Sequence, residues 1–155
     1  MPVDAAMPQG PIDVLVVEDD EAVRTSWVAI LRNVGWSVEE APDGFVALRR
    51  LREIPISAVV LDVRMPVLDG FGLLDRLYDP PPVVLISGKD YDTEVMARRD
   101  KIHTFFLKPI TPDRLIEAVA AALETSFSQG RYRAGNKARG HERVPSAASG
   151  PSPDG

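Results

Sequence analysis

The sequence predicts an α/β protein: a doubly wound, five-stranded parallel sheet with five helices, folded as a single domain. Three observations predict it. Short runs rich in Val, Ile and Leu alternate with stretches whose apolar residues recur at helical spacing, the pattern of helices packed on a parallel sheet. The 155 residues suit one domain with some chain to spare. Acidic, hydroxyl and ammonium side chains fall directly after the apolar runs, and ligands in such folds bind beyond the carboxyl ends of the strands, where strand order reverses.

Each element has its own signal. Ile12–Val17 (IDVLVV) reads as a strand buried on both faces. After the acidic run Glu18-Asp19-Asp20-Glu21, residues Val23, Trp27, Ile30, Leu31 and Val34 make one helical stripe, closed by Gly35. Residues 36–41 read as a second, more polar strand nearer an edge. Asp43-Gly44 starts a helix with Ala47, Leu48 and Leu51 inward. Residues 58–61 (AVVL) form a third strand that ends at Asp62, and Gly70 opens a short helix with Phe71, Leu74 and Leu77 on one side. Pro80-Pro81-Pro82 breaks the chain before a fourth strand, residues 83–86 (VVLI), which ends at Ser87-Gly88. A weak, highly charged helix over about 92–99 precedes the fifth strand, Thr104–Leu107. Thr111 then suits an N-cap with Pro112 in the first helical position, and Leu115, Ile116, Val119 and Leu123 form the buried stripe of the last helix.

Composition narrows the function. No run approaches eighteen apolar residues, so no segment is expected to span a bilayer, and residues 1–11 lack the basic start and apolar middle of a secretion signal. The absence of cysteine excludes a disulfide scaffold, a thiolate metal site and a cysteine nucleophile, and it suits a cytoplasmic location. Two histidines, His103 and His141, leave no basis for a zinc site of several imidazoles. The net charge of −5 is unevenly spread: residues 12–127 hold 13 basic and 20 acidic side chains, residues 128–155 five basic and two acidic. This basic, Gly/Pro/Ser-rich tail and residues 1–11 bury too little surface to offset their ordering entropy and are expected to be disordered, leaving residues 12–127 as the folded domain. Five cations without a folded platform read as a solvated tail, so nucleic acid is not an expected partner, and no DNA-binding output domain fits in 28 residues of this composition.

What converges at the strand ends is carboxylate. The first strand ends in Glu18 and Asp19, the third in Asp62, the fourth in Ser87 and the fifth in Lys108. Three carboxylates in one crevice repel one another; a hard divalent cation removes that penalty, and oxygen-only ligands point to magnesium. A phosphoryl group bound there would meet the cation, the Ser87 hydroxyl and the Lys108 ammonium. No side chain resembles a general base, so the site suits holding and transferring phosphate, and a carboxylate can itself accept the phosphoryl group as an aspartyl phosphate. Blander roles compete. Residues 18–21 alone could simply complement a helix N-terminus, the role assigned to Asp20 and Glu21. Ser87-Gly88 and Asp69-Gly70 suit turns, and His103 reads as solvated or structural. Asp62 is different, because a bare charge after four apolar residues of a central strand is expensive unless it has a function.

The stretches VLVVEDD, VVLDVRMPVLDG, VVLISG and FFLKP, in this order and at these spacings, resemble a bacterial two-component response-regulator receiver domain of the stand-alone, CheY-like kind over residues 12–123. The resemblance implies a flavodoxin-like sheet of strand order 2-1-3-4-5. It implies that Asp62 is the phosphorylated aspartate and that Glu18, Asp19, Asp62 and the backbone carbonyl of Arg64 hold Mg2+. Ser87 then matches the hydroxyl that follows the phosphoryl group, Lys108 the lysine that pairs with it, and Phe105 the aromatic that turns inward on switching. The peptide bond before Pro109 is typically cis in the family. The implied donor is a histidine kinase or histidine phosphotransfer protein, and the implied output is a downstream protein that the sequence does not name. A homodimer linked to phosphorylation is left open. Such a domain is no enzyme toward other substrates; it catalyses only its own phosphorylation and dephosphorylation.

Three departures from the family pattern stand out. Residues 97–104 (ARRDKIHT) lack the small turn that usually precedes the last strand, the connection 79–82 is short and proline-rich, and Arg64 and Lys89 are both basic beside the phosphoryl pocket. Two other readings compete: a receiver-like interaction module that works without phosphate, and a phosphatase of the haloacid-dehalogenase kind. The phosphatase wants an acid two residues after Asp62, where Arg64 stands.

Overall fold

The computed structural model describes residues 10–130. The expectations for residues 1–9 and for the basic tail from 131 onward lie outside the described residues. Strands β1 (Ile12–Val17), β2 (Val38–Ala41), β3 (Ile56–Asp62), β4 (Val83–Ser87) and β5 (Thr104–Leu107) form one parallel sheet in the order β2-β1-β3-β4-β5. Helices α1 (Glu21–Val34), α2 (Gly44–Glu53), α3 (Gly70–Asp75), α4 (Asp92–Ala97) and α5 (Pro112–Ser128) connect and cover it.

The pleat sorts the core into two layers. Leu15, Val17, Val59, Leu61, Val83 and Leu85 face Ala47 and Leu48 of α2 and Phe71, Leu73 and Leu74 of α3. Val14, Val16, Val60, Val84 and Ile86 face Trp27, Val28 and Leu31 of α1 and Leu115, Val119 and Leu123 of α5. Strands β1, β3 and β4 are buried along their whole length, which is why Val, Ile and Leu dominate them. All crossovers put the loops that follow each strand at one rim, and that rim carries the candidate site.

The helix ends follow capping chemistry. Asp20 caps α1 by accepting from Val23 N at 3.0 Å, and Gly35 ends it at φ 114°, a left-handed turn that glycine adopts without strain. Asp43, Asp69 and Thr111 cap α2, α3 and α5 in the same way, with Pro112 in the first turn of α5.

Several elements differ from the sequence reading. β2 starts at Val38: Trp36 is buried against the α1/α5 layer, and Ser37 exchanges two 2.8 Å bonds with Asp13, its Oγ accepting from Asp13 N and its N donating to Asp13 Oδ2. β3 is longer and includes Asp62. α3 stops at Asp75, short of Leu77, because Arg76 and Leu77 close on the carbonyls of Leu73 and Leu74 and the chain meets Asp79 at φ 54° before Pro80. α4 stops at Ala97 and continues as a 3₁₀ turn, Arg99–Lys101, and it buries none of its residues. It is held from outside: Arg98 grips Asp75 through two bonds of 2.8 and 2.9 Å and lies 4.8 Å over the Phe71 ring, while Lys101 Nζ donates to Leu74 O. At the other end of the chain α5 takes in Ser128, the first residue read as tail, whose Oγ donates to Glu124 O.

Candidate functional site

Backbone contacts place the buried carboxylates. Glu18 continues the β1–β2 ladder through its N–H to Ala41 O, which turns its side chain inward, where it is 1% exposed. Its Oε2 accepts from Asp20 N at 3.1 Å, so the start of α1 fixes the carboxylate. Arg24, one turn into α1, donates to the Glu18 carbonyl at 2.8 Å and pairs with Glu40. Asp19 stays exposed at the rim. Asp62 ends β3 and is 2% exposed. Behind it, Gly70 approaches so closely that a Cβ there would lie 2.7 Å from Asp62 O, so only glycine lets α3 start against the strand end.

Lys108 joins these groups. Its Nζ lies 3.0 Å from Glu18 Oε1 and 3.0 Å from Asp62 Oδ1, bridging two buried carboxylates 90 and 46 residues away in sequence. The ammonium also sits 5.6 Å above the ring of Trp27. Glu18, Asp19 and Asp62 each offer a carboxylate oxygen, and the three atoms lie within 4.8 Å of one another.

The electrostatics are strained. Burial raises the Asp62 carboxyl above its usual range, against the lowering effect of Lys108, and Asp19 adds to the rise. Burial likewise raises Glu18 despite bonds from Asp20 and Lys108. Burial alone would depress the Lys108 amine, but its hydrogen bonds to Glu18 and Asp62 outweigh that and raise it. One ammonium thus balances one of three carboxylates, and all further donors are oxygen. The donor set fits a hard divalent cation.

The other predicted residues sit on β4, β5 and the loops that follow β3, β4 and β5. Ser87 is fully buried at the end of β4, next to the strand that carries Asp62; its Oγ accepts from Lys89 N at 3.1 Å and its carbonyl from Lys108 N at 2.7 Å. Arg64 follows Asp62 in the loop to α3, its side chain exposed. Lys89 extends over the Tyr91 ring at 5.4 Å, and Tyr91 meets Phe71 edge-on. Phe105 lies opposite Leu85 on β5, half-buried on the α2/α3 side with Tyr91 and Ile102, while Phe106 faces the α1/α5 layer. The Lys108–Pro109 bond is cis.

The sequence reading assigned no part in the site to three residues. The sequence marks Gly70 as turn chemistry and Trp27 as core, and nothing in it singles out Arg24. The run of acids before α1 pointed to its head, but nothing local shows which ring of a helical stripe faces a lysine 81 residues on.

Comparisons with known proteins agree in kind. Residues 14–120 match the response regulator receiver domain family. An NtrX-like response regulator of Rickettsia bellii is 35% identical over 121 residues, covering 74% of this chain and 25% of the relative. Response regulator MprA of a Mycobacterium species is 38% identical over 125 residues, 77% of this chain and 54% of that protein. The crystal structure of the receiver domain of NtrX from Brucella abortus superposes with a TM-score of 0.66 at 34% identity, covering 73% of this chain and 99% of that domain. The chain spans about a quarter of the length of the NtrX-like relatives it matches.

Proposed function

The chain belongs to the response regulator receiver domain family, and from that premise we propose that Asp62 accepts a phosphoryl group from a histidine kinase or histidine phosphotransfer protein and thereby switches a protein-binding surface. The observation that carries this reading is the Lys108 ammonium held 3.0 Å from both Glu18 and Asp62 among three convergent carboxylates. Magnesium is the proposed cofactor; Glu18, Asp19, Asp62 and the carbonyl of Arg64 would hold it, and when bound it supplies positive charge against the phosphoryl oxygens.

The chain's own residues do the rest. An oxygen of Asp62 attacks the phosphorus of phosphohistidine in line, the P–O bond forms as the P–N bond breaks, and the imidazole nitrogen leaves with the electron pair. Lys108 exchanges its bond to Asp62 for one to a phosphoryl oxygen. Ser87 gives up its bond from Lys89 N and turns its hydroxyl to the phosphoryl group, and Phe105 moves into the space behind it. The affected face is α4, β5 and α5, where Met96 and Leu107 are apolar and at least half exposed. The phosphoryl group acts by binding the switched state better than the resting one. In this reading the domain signals and turns over no other substrate.

Labelling with a small phosphodonor and magnesium tests the assignment. Asp62→Asn loses the label and Asp69→Asn, which alters the α3 cap, keeps it. Labelling that survives in Asp62→Asn rejects the phosphoacceptor.

A further inference from the structure

We propose that Trp27 is a positioning residue for phosphoryl transfer, its indole face holding the Lys108 ammonium at the mouth of the site. The inference rests on the reading of Asp62 as phosphoacceptor and Lys108 as its charge partner. It begins with geometry: Lys108 Nζ lies 5.6 Å from the Trp27 ring centre, inside the range of a cation–π contact. Trp27 is 6% exposed, packed in the α1/α5 layer, so the ring is a fixed platform. The lysine is not fixed by its own surroundings to the same degree, since 30% of its side chain remains accessible on a four-carbon stem.

The ammonium therefore has three partners: Glu18, Asp62 and the indole. Two of them change during the reaction. Asp62 becomes an acyl phosphate, and Glu18 is one of the residues proposed to hold the cation. The indole face is the partner that neither titrates nor binds the cation. It keeps the charge over the rim while its carboxylate contacts are exchanged for a phosphoryl oxygen. The same helix supplies both parts, because α1 begins directly after Glu18 and Asp19, and Trp27 lies two turns in, on its inner face. An aliphatic residue at 27 would fill much of the volume and leave the ammonium only the two carboxylates whose roles change in the reaction.

The test is a double-mutant cycle in the full chain, read as the rate of phosphorylation by a small phosphodonor at saturating magnesium. Trp27→Leu is expected to slow the reaction about threefold to tenfold, the range that one partly desolvated cation–π contact supplies. Trp27→Phe, which keeps a ring face, recovers most of that loss. In a Lys108→Ala background, Trp27→Leu has little further effect. Equal slowing in both backgrounds makes Trp27 a packing residue and overturns the proposal, as does an unslowed Trp27→Leu. A second readout needs no phosphorylation: with Trp36→Phe as background, Trp27 is the only indole, and its emission is recorded in EDTA with Lys108 and with Lys108→Met. A shifted emission supports the contact, and identical spectra overturn it. A parent protein that takes no label defeats the reading of Asp62, while the emission pair still decides the contact.

Discussion

At the scale of single residues, the site is held at a cost in stability. Burial raises the carboxyls of Asp62 and Glu18, so both bind protons more tightly in the folded chain than in the unfolded one. Their favourable contribution is complete below the unfolded carboxylate pKa and is lost as pH rises through the raised folded values. Asp62→Asn is therefore expected to melt higher than the parent in EDTA, with a difference larger at pH 7 than at pH 5; a difference that shrinks or reverses as pH rises contradicts the electrostatic account. Backbone geometry decides two neighbouring positions. Val67 is β-branched at φ 71°, in a tight turn closed by Leu68 N on Pro66 O, and it is 93% exposed, so no packing compensates. Val67→Gly is expected to stabilise the chain by up to about 1 kcal/mol in urea titrations, relief of strain outweighing the entropy of the added glycine. Gly70→Ala acts the other way: the new methyl would press on the Asp62 carbonyl, and a loss of about 1–3 kcal/mol with slower labelling is expected. These three effects were unequally visible beforehand. The position of Asp62 was legible because a charge after AVVL needs a reason, whereas the tight contact behind Gly70 and the sign of φ at Val67 exist only once α3 docks on β3.

At the scale of elements, α4 is the one α-helix of the described fold with no fully buried residue. The stretch 92–99 gives a weak signal because its apolar residues form no stripe, and the structure gives the reason: of the helix only Val95 packs on the core, partly buried, and the tethers Arg98 and Lys101 hold it. Those tethers reach Asp75 and Leu74, more than twenty residues away, which no local pattern announces. Arg98 holds the Asp75 carboxyl below its usual range. A lowered folded pKa gives stability that is present above the unfolded carboxylate pKa and lost as pH falls through the folded value. Because Asp75 is more than half exposed, the pair is worth less than about 1 kcal/mol to global stability. Its effect is local. Arg98→Met is expected to speed hydrogen exchange in α4 while leaving β1, β3 and β4 unchanged; uniform acceleration, or none, contradicts the tether. The start of β2 differs for an equally physical reason: Trp36 is apolar like strand, but at Ser37 one backbone bond, Val14 N to Ser37 O, is joined by two bonds that involve the Ser37 and Asp13 side chains.

At the scale of the whole molecule, the alternation of runs and stripes specified the layers, and the strand order came only with the family resemblance. Polarity marks β2 as an edge strand, and the order implied by the resemblance puts β5 at the other edge, where the structure has it partly exposed with Leu107 50% accessible. That topology brings four distant stretches of chain to one rim, and the account predicts that they act together through a cation. Magnesium at a hundred times its dissociation constant should stabilise the parent by about 2.7 kcal/mol if the unfolded chain does not bind it, and EDTA should remove the gain. The most direct test is intact mass after incubation with a small phosphodonor, with magnesium or with EDTA. The account predicts one added phosphoryl group per chain in magnesium and none in EDTA. A folded chain that gains nothing in magnesium, or gains as much in EDTA, contradicts it.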